Sequence, residues 1–144
     1  MKKVWIIATS LIVVGIIICI LFSWFYTPVK GFEVTIENIT GENVEGIRLT
    51  CAGLSKDIDV PVLTPQTESV LVVQPKNYGE NSLKLYYKDN QGTVHEQTIV
   101  GYFEESYGNG YVRVKVENVE TDGTLKITSK YRFTGIFESS KWIE

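Results

Sequence analysis

Phe32 to Glu37 reads FEVTIE, and Val112 to Glu117 reads VRVKVE. In each stretch an apolar residue alternates strictly with a charged or hydroxylated one. Successive side chains of an extended strand point to opposite faces, so this pattern buries one face and wets the other. A helix would place its apolar residues three and four apart. The same period of two recurs at Ile47, Leu49 and Cys51, and again at Leu125, Ile127, Tyr131 and Phe133. Ser82 to Lys88 (SLKLYYK) adds a further strand. Thr67 to Gln74 (TESVLVVQ) is more continuously apolar, which predicts a strand covered on both faces.

Turn chemistry separates these runs. Thr40-Gly41-Glu42-Asn43, Thr64-Pro65, Asn77-Tyr78-Gly79 and Asp122-Gly123 fall between them, and Asp89 to Gly92 closes a hairpin between Ser82–Lys88 and Thr93–Val100. No helical period and no internal repeat occurs from Phe32 onward. Seven to eight short strands in one domain predict an all-β fold, an antiparallel β-sandwich of immunoglobulin-like shape over residues 32–136. The Cys…Trp…Cys hallmark of true immunoglobulin domains is missing. Residues 137–144 read as a tail or a last strand.

The first 31 residues are of a different kind. Val4 to Tyr26 (VWIIATSLIVVGIIICILFSWFY) carries no charge. At ~1.5 Å per residue it extends about 34 Å, enough to cross a ~30 Å hydrocarbon core with some tilt. It is longer than a signal-peptide core, and the bulky Trp24, Phe25 and Tyr26 stand where a small-x-small cleavage site would be needed. Ile16-Ile17-Ile18 before Cys19 also rules out a lipobox. The three aromatics fit an interfacial belt. The sequence thus predicts an uncleaved transmembrane helix over 4–26, after a cytoplasmic stub at 1–3 and before a short linker at 27–31. Lys2 and Lys3 against the single Lys30 place the N-terminus inside and the domain outside. Gly15, Cys19 and Ser23 recur every four residues, a small-residue stripe that suits self-association of the helix.

Charge and cysteine usage narrow the class. The chain holds 14 Lys+Arg and 17 Asp+Glu; without Lys2 and Lys3 the balance is 12 against 17, or −5. A net-acidic domain is a poor nucleic-acid binder, which needs clustered positive charge, and offers no broad attraction to anionic lipid. Cys19 in the span and Cys51 in the domain cannot pair, so there is no disulfide framework. With the Met-Lys-Lys start this points to a bacterial source. Cys51 continues the apolar alternation and reads as a small buried residue.

A spanning helix followed by FEVTIEN, IRLTC and LKLYYKDNQGTVHEQTIVGYFE resembles the small single-pass membrane-anchored proteins of unknown function from Gram-positive bacteria. The resemblance implies an extracytoplasmic β-sandwich and carries over no functional residues.

Chemistry-bearing motifs are sparse. His95 is the only histidine, and with no dense spacing of further ligands it reads as a strand residue, not a zinc ligand. Asp57 and Asp59 alternate with Ile58, which puts both carboxylates on one wet face without a calcium-loop pattern. Asn38-Ile39-Thr40 is a glycosylation sequon, of no meaning in a bacterium. No metal and no cofactor is expected. The segment Gly101 to Tyr111 (GYFEESYGNGY) stands out, because a long loop between strands places aromatics beside carboxylates. Tyr102, Phe103, Glu104, Glu105, Tyr107 and Tyr111 are the candidate binding residues, for a sugar or a basic peptide. Aromatics folded back onto the core are the competing account of the same residues. The sequence therefore predicts a non-enzymatic extracytoplasmic module that binds a protein or cell-envelope partner. The alternative is an accessory or immunity-type membrane protein for a secreted toxin or secretion system, and an enzyme ranks third for want of a nucleophile–base pair.

Overall fold

The FEVTIE alternation forms β1 (Gly31–Asn38), in which Phe32, Val34 and Ile36 are buried at 0–2 % exposure. The computed structural model describes residues 14–18, 20, 31–76, 79–104 and 109–133. Seven more strands follow: β2 (Arg48–Thr50), β3 (Ile58–Asp59), β4 (Thr67–Val73), β5 (Asn81–Lys88), β6 (Val94–Phe103), β7 (Asn109–Val119) and β8 (Leu125–Phe133). They make two four-stranded sheets, ordered β4-β1-β7-β8 and β3-β2-β5-β6. From residue 31 to 133 the described residues are all-β, and the two sheets enclose one core. Inward residues of β1, β5, β6 and β7 supply most of it, each aliphatic side chain contributing roughly 1.5–3 kcal/mol on burial.

Two expectations change. The pairings are antiparallel except one: β1 runs parallel to β7, with Gly31 opposite Asn109 and Asn38 opposite Val116. A period of two fixes which face is buried but says nothing of strand direction. The apolar run in β4 is not covered on both faces. β4 is an edge strand, and its outward Val70 and Val72 stand 54 % and 52 % exposed.

Strand directions define two ends. Gly31, Val73, Asn81, Phe103, Asn109 and Phe133 gather at one end, which we call the Gly31 end. Phe32 packs edge-to-face on Phe103 at 4.5 Å and on Phe133 at 5.9 Å there. Gly110 lies directly beneath Phe32, where a Cβ would come within 2.6 Å of the ring. At the far end, the β5–β6 and β7–β8 turns dock across the two sheets. The Asn90 amide donates to the Asp122 carbonyl at 2.9 Å. Gly123 sits beside it at a φ of 87°, where any side chain would strike Asn90.

Asn38 is the hub of the far end. It is fully buried, and its amide donates to the carbonyl oxygens of Glu42, Leu63 and Thr64 at 2.8, 2.9 and 3.2 Å. Its own oxygen accepts from the Thr40 amide at 3.0 Å and hydroxyl at 2.7 Å. The Asn-Ile-Thr sequence is thus a buried bonding knot, with every polar group matched as burial requires.

Of the predicted span, Val14 to Ile18 and Ile20 are helical and described. No helix among the described residues is long and apolar enough to cross a membrane, and the rest of 4–26 lies outside them. In the helix-association stripe, Gly15 is helical with open space around it, whereas Cys19 and Ser23 lie outside the described residues.

Candidate functional site: a groove at the far end

β2 is only three residues long and β3 only two, so the second sheet is thin at its far corner. A groove of about 950 Å³ opens there. The segment from Glu42 to Arg48 forms one side. Tyr86 to Asn90 and the turn from Val119 to Leu125 form the other. The floor is apolar: Val44, Ile47, Val60 and Tyr87 are all buried, with Leu125 half-buried beside them. The rim carries Glu42, Glu45, Asp59, Asp89 and Glu120 against Arg48 and Lys88. The floor residues are almost fully covered, so the surface that the groove presents is more polar than apolar.

The walls are held rigidly. Val44 and Leu63 exchange two backbone hydrogen bonds at 2.9 Å, and the Val60 amide donates to the Ile47 carbonyl at 2.9 Å. The Tyr87 hydroxyl accepts from the Leu125 amide at 2.8 Å, which ties the two sheets together beneath the groove. On the outer wall, Arg48 pairs with Asp59 at 2.7 Å and the Tyr86 hydroxyl donates to Asp57. That hydroxyl, helped by Thr50, holds the Asp57 carboxyl below the usual carboxylate range, and the same bond raises Tyr86. Asp57 and Asp59 do share one face, but both carboxylates are engaged by these neighbours. No group of three or more His, Cys, Asp or Glu residues placed to hold a metal ion occurs among the described residues.

His95 lies on β6 just behind the rim. Its Nε2 is 2.9 Å from Asp89, and its ring stacks on Tyr87 at 5.1 Å. Asp89 also accepts the Gln91 and Thr93 amides at 2.9 and 2.8 Å. His95 foremost, then these amides, keep the Asp89 carboxyl below its ordinary value. The pair fixes the β5–β6 turn that forms part of the groove wall. Cys51 is a free, half-buried thiol packed against the core, and burial pushes it up to about 11, the value of an unreactive thiol.

The described part of the aromatic segment singled out in the sequence, 101–104 and 109–111, does not line the groove; it lies at the Gly31 end. Phe103 is corrected from a contact residue to a core residue, since it is fully buried against Phe32. Register shifts in β6 around Val100 interrupt its alternation and turn Phe103 inward. Tyr102 is 41 % exposed on β6 of the second sheet, with its hydroxyl on Glu104. Tyr111 is 37 % exposed on β7 of the first sheet, with the Arg132 guanidinium 4.9 Å from its ring centre. Glu105 and Tyr107 lie outside the described residues. Sequence reasoning missed the groove because its parts come from four separate segments. Of its parts the sequence marked Asp59, as a wet-face carboxylate, and turns such as Asp89–Gly92.

Comparison of the chain with protein-family profiles, with curated proteins and with solved structures finds no match.

Proposed function

We propose that the chain is a membrane-tethered, extracytoplasmic, non-enzymatic binding module whose partner seat is the groove at the far end of the sandwich. The observation that carries this reading is positional. The groove opens at the end opposite Gly31, where the chain enters from the predicted span, so a tether at 4–26 presents it away from the bilayer. The tether itself is supported by the uncharged run and by its described part. Val14, Ile16, Ile17, Ile18 and Ile20 stand 50–54 % exposed, an apolar surface that suits lipid. By the same geometry Tyr102 and Tyr111 face the headgroups. Lys2 and Lys3 orient the domain outward, and the resemblance to Gram-positive anchored proteins fits this placement.

The partner meets the polar and charged rim of the groove, with Tyr86 as its aromatic contact and Ile47, Val60 and Tyr87 buried beneath. A photoreactive phenylalanine placed at Glu45 or Lys88 in the full chain, in cells, tests this. A discrete adduct is expected from both positions, and Tyr86→Ala should reduce it by weakening binding about 2 kcal/mol, as loss of an aromatic anchor does. Adducts from Tyr102 or Tyr111 but not from Glu45 and Lys88 would move the site to the other end.

A further inference from the structure

A sheet edge offers a row of backbone donors and acceptors to any extended chain. Folds blunt such edges with lysines, bulges, prolines or very short strands. Among the described residues, three of the four edges are blunted in this way. β3 is only two residues long. β6 pairs with β5 through register shifts, which makes it a bulged edge. β8 carries Lys126 and Lys130 exposed, and the Gln97 side chain of β6 donates to its Ile127 carbonyl at 3.2 Å. β4 has none of these devices. Thr67 to Val73 pairs with β1 without a register shift, and the strand holds no lysine and no proline. Its outward Val70 and Val72 stand exposed along the open edge.

Charge says what this edge takes. Glu68 lies on the same outward face as the two valines and directly opposite Glu37 of β1, a like-charge pair that weakens a sheet. Glu37 is drawn to Lys115 on its other side at 3.6 Å. Glu68 makes no ion pair among the described residues, and β1 separates it from the cations of β7 and β8. A strand laid along β4 therefore meets two valines and an unmatched carboxylate. Cross-strand pairs of β-branched residues and of opposite charges are those that stabilise a sheet. A second copy of the chain does not fit. β4 against β4 about a two-fold axis is antiparallel, and it would point the second copy's Gly31 end away from the membrane. That exclusion rests on the tethered reading above. We infer that the β4 edge takes, by strand addition, an extended basic and apolar segment of another protein. A lysine or arginine of that segment stands opposite Glu68, and β-branched residues stand opposite Val70 and Val72. The surface is separate from the groove, since no residue of β4 lines it.

The test uses the full chain in a non-ionic detergent, with the octapeptide GFKVTIKN as the probe. This is the sequence of β1, the strand that already pairs with β4, with lysine at both glutamate positions. On adding it, the amides of 67–73 should gain protection from hydrogen exchange and those of 86–90 should not. The acidic parent GFEVTIEN should bind about tenfold more weakly, because it sets like charges against Glu68. GFKPTPKN, which lacks two ladder donors, should not bind. Glu68→Lys should reverse the preference between the two charged peptides. Val70→Lys with Val72→Lys should abolish binding and keep the wild-type melting temperature, since both side chains are exposed. The same double variant should leave the adducts from Glu45 unchanged, so a failure here is distinct from a failure of the groove. No gain of protection at 67–73, equal binding of the two charged peptides, or wild-type binding by the double variant would overturn the proposal. Protection of 67–73 that grows with protein concentration in the absence of peptide would also overturn it, and would assign the edge to a second copy.

Discussion

Val114→Asp should leave the domain unfolded under conditions in which Lys115→Asp remains folded. Val114 is fully buried on the central strand β7, between Ile36 of β1 and Ser129 of β8. A carboxylate there has no cationic partner. It must ionise in an apolar layer or take up a proton, and either way the cost is about 5 kcal/mol or more. That equals the lower end of the whole stability of a small domain, roughly 5–15 kcal/mol. Lys115 is one residue away but points outward, and it shares only a half-exposed ion pair with Glu37. Pairs of that kind contribute about 0–1 kcal/mol. Urea titration followed by tryptophan-independent far-ultraviolet dichroism measures both. Equal midpoints for the two variants would contradict the register.

Phe103→Ala should cost about 3–5 kcal/mol, the usual range for removing a buried phenylalanine. The ring fills the Gly31 end of the core between Phe32 and the β6 backbone, and no neighbour can collapse into its place without moving Phe32 off Gly110. Tyr111→Ala, on the exposed face, should cost less than about 1 kcal/mol. Thermal unfolding of the two variants separates an aromatic that caps the core from one that stands on the surface. A Phe103→Ala protein with the wild-type midpoint would show that the ring is not packed as described.

These effects also explain what the sequence made legible. Alternation in β1, β7 and β8 is strict because one face of each strand is sealed and the other is wet, so strand positions and inward residues could be read directly. The Asp89–Gly92 hairpin was equally plain, because its turn residues accept their own backbone amides. Strand direction was not legible, since β1 and β7 are far apart in the chain and join by register alone. The run Val70 to Val73 misled because an edge strand with exposed valines has the same local composition as a covered one. Phe103 was readable either way, because register shifts in β6 break the alternation that would have fixed its side. The groove was out of reach because it is assembled from side chains on four separate segments. Asn38 showed the reverse case, in which a recognisable motif stands for buried hydrogen bonding and not for modification.

The central claim is that the far-end groove faces outward from a membrane-tethered domain. The most direct measurement is labelling of intact cells with a membrane-impermeant maleimide. The full chain would carry Cys19→Ala and Cys51→Ala, with one new cysteine at Glu45→Cys on the groove rim or at Lys3→Cys before the span. The account predicts that position 45 labels in intact cells and that position 3 labels only after permeabilisation, on a product that retains its first 26 residues. Labelling at position 3 in intact cells, protection of position 45, or loss of the N-terminal segment would contradict it.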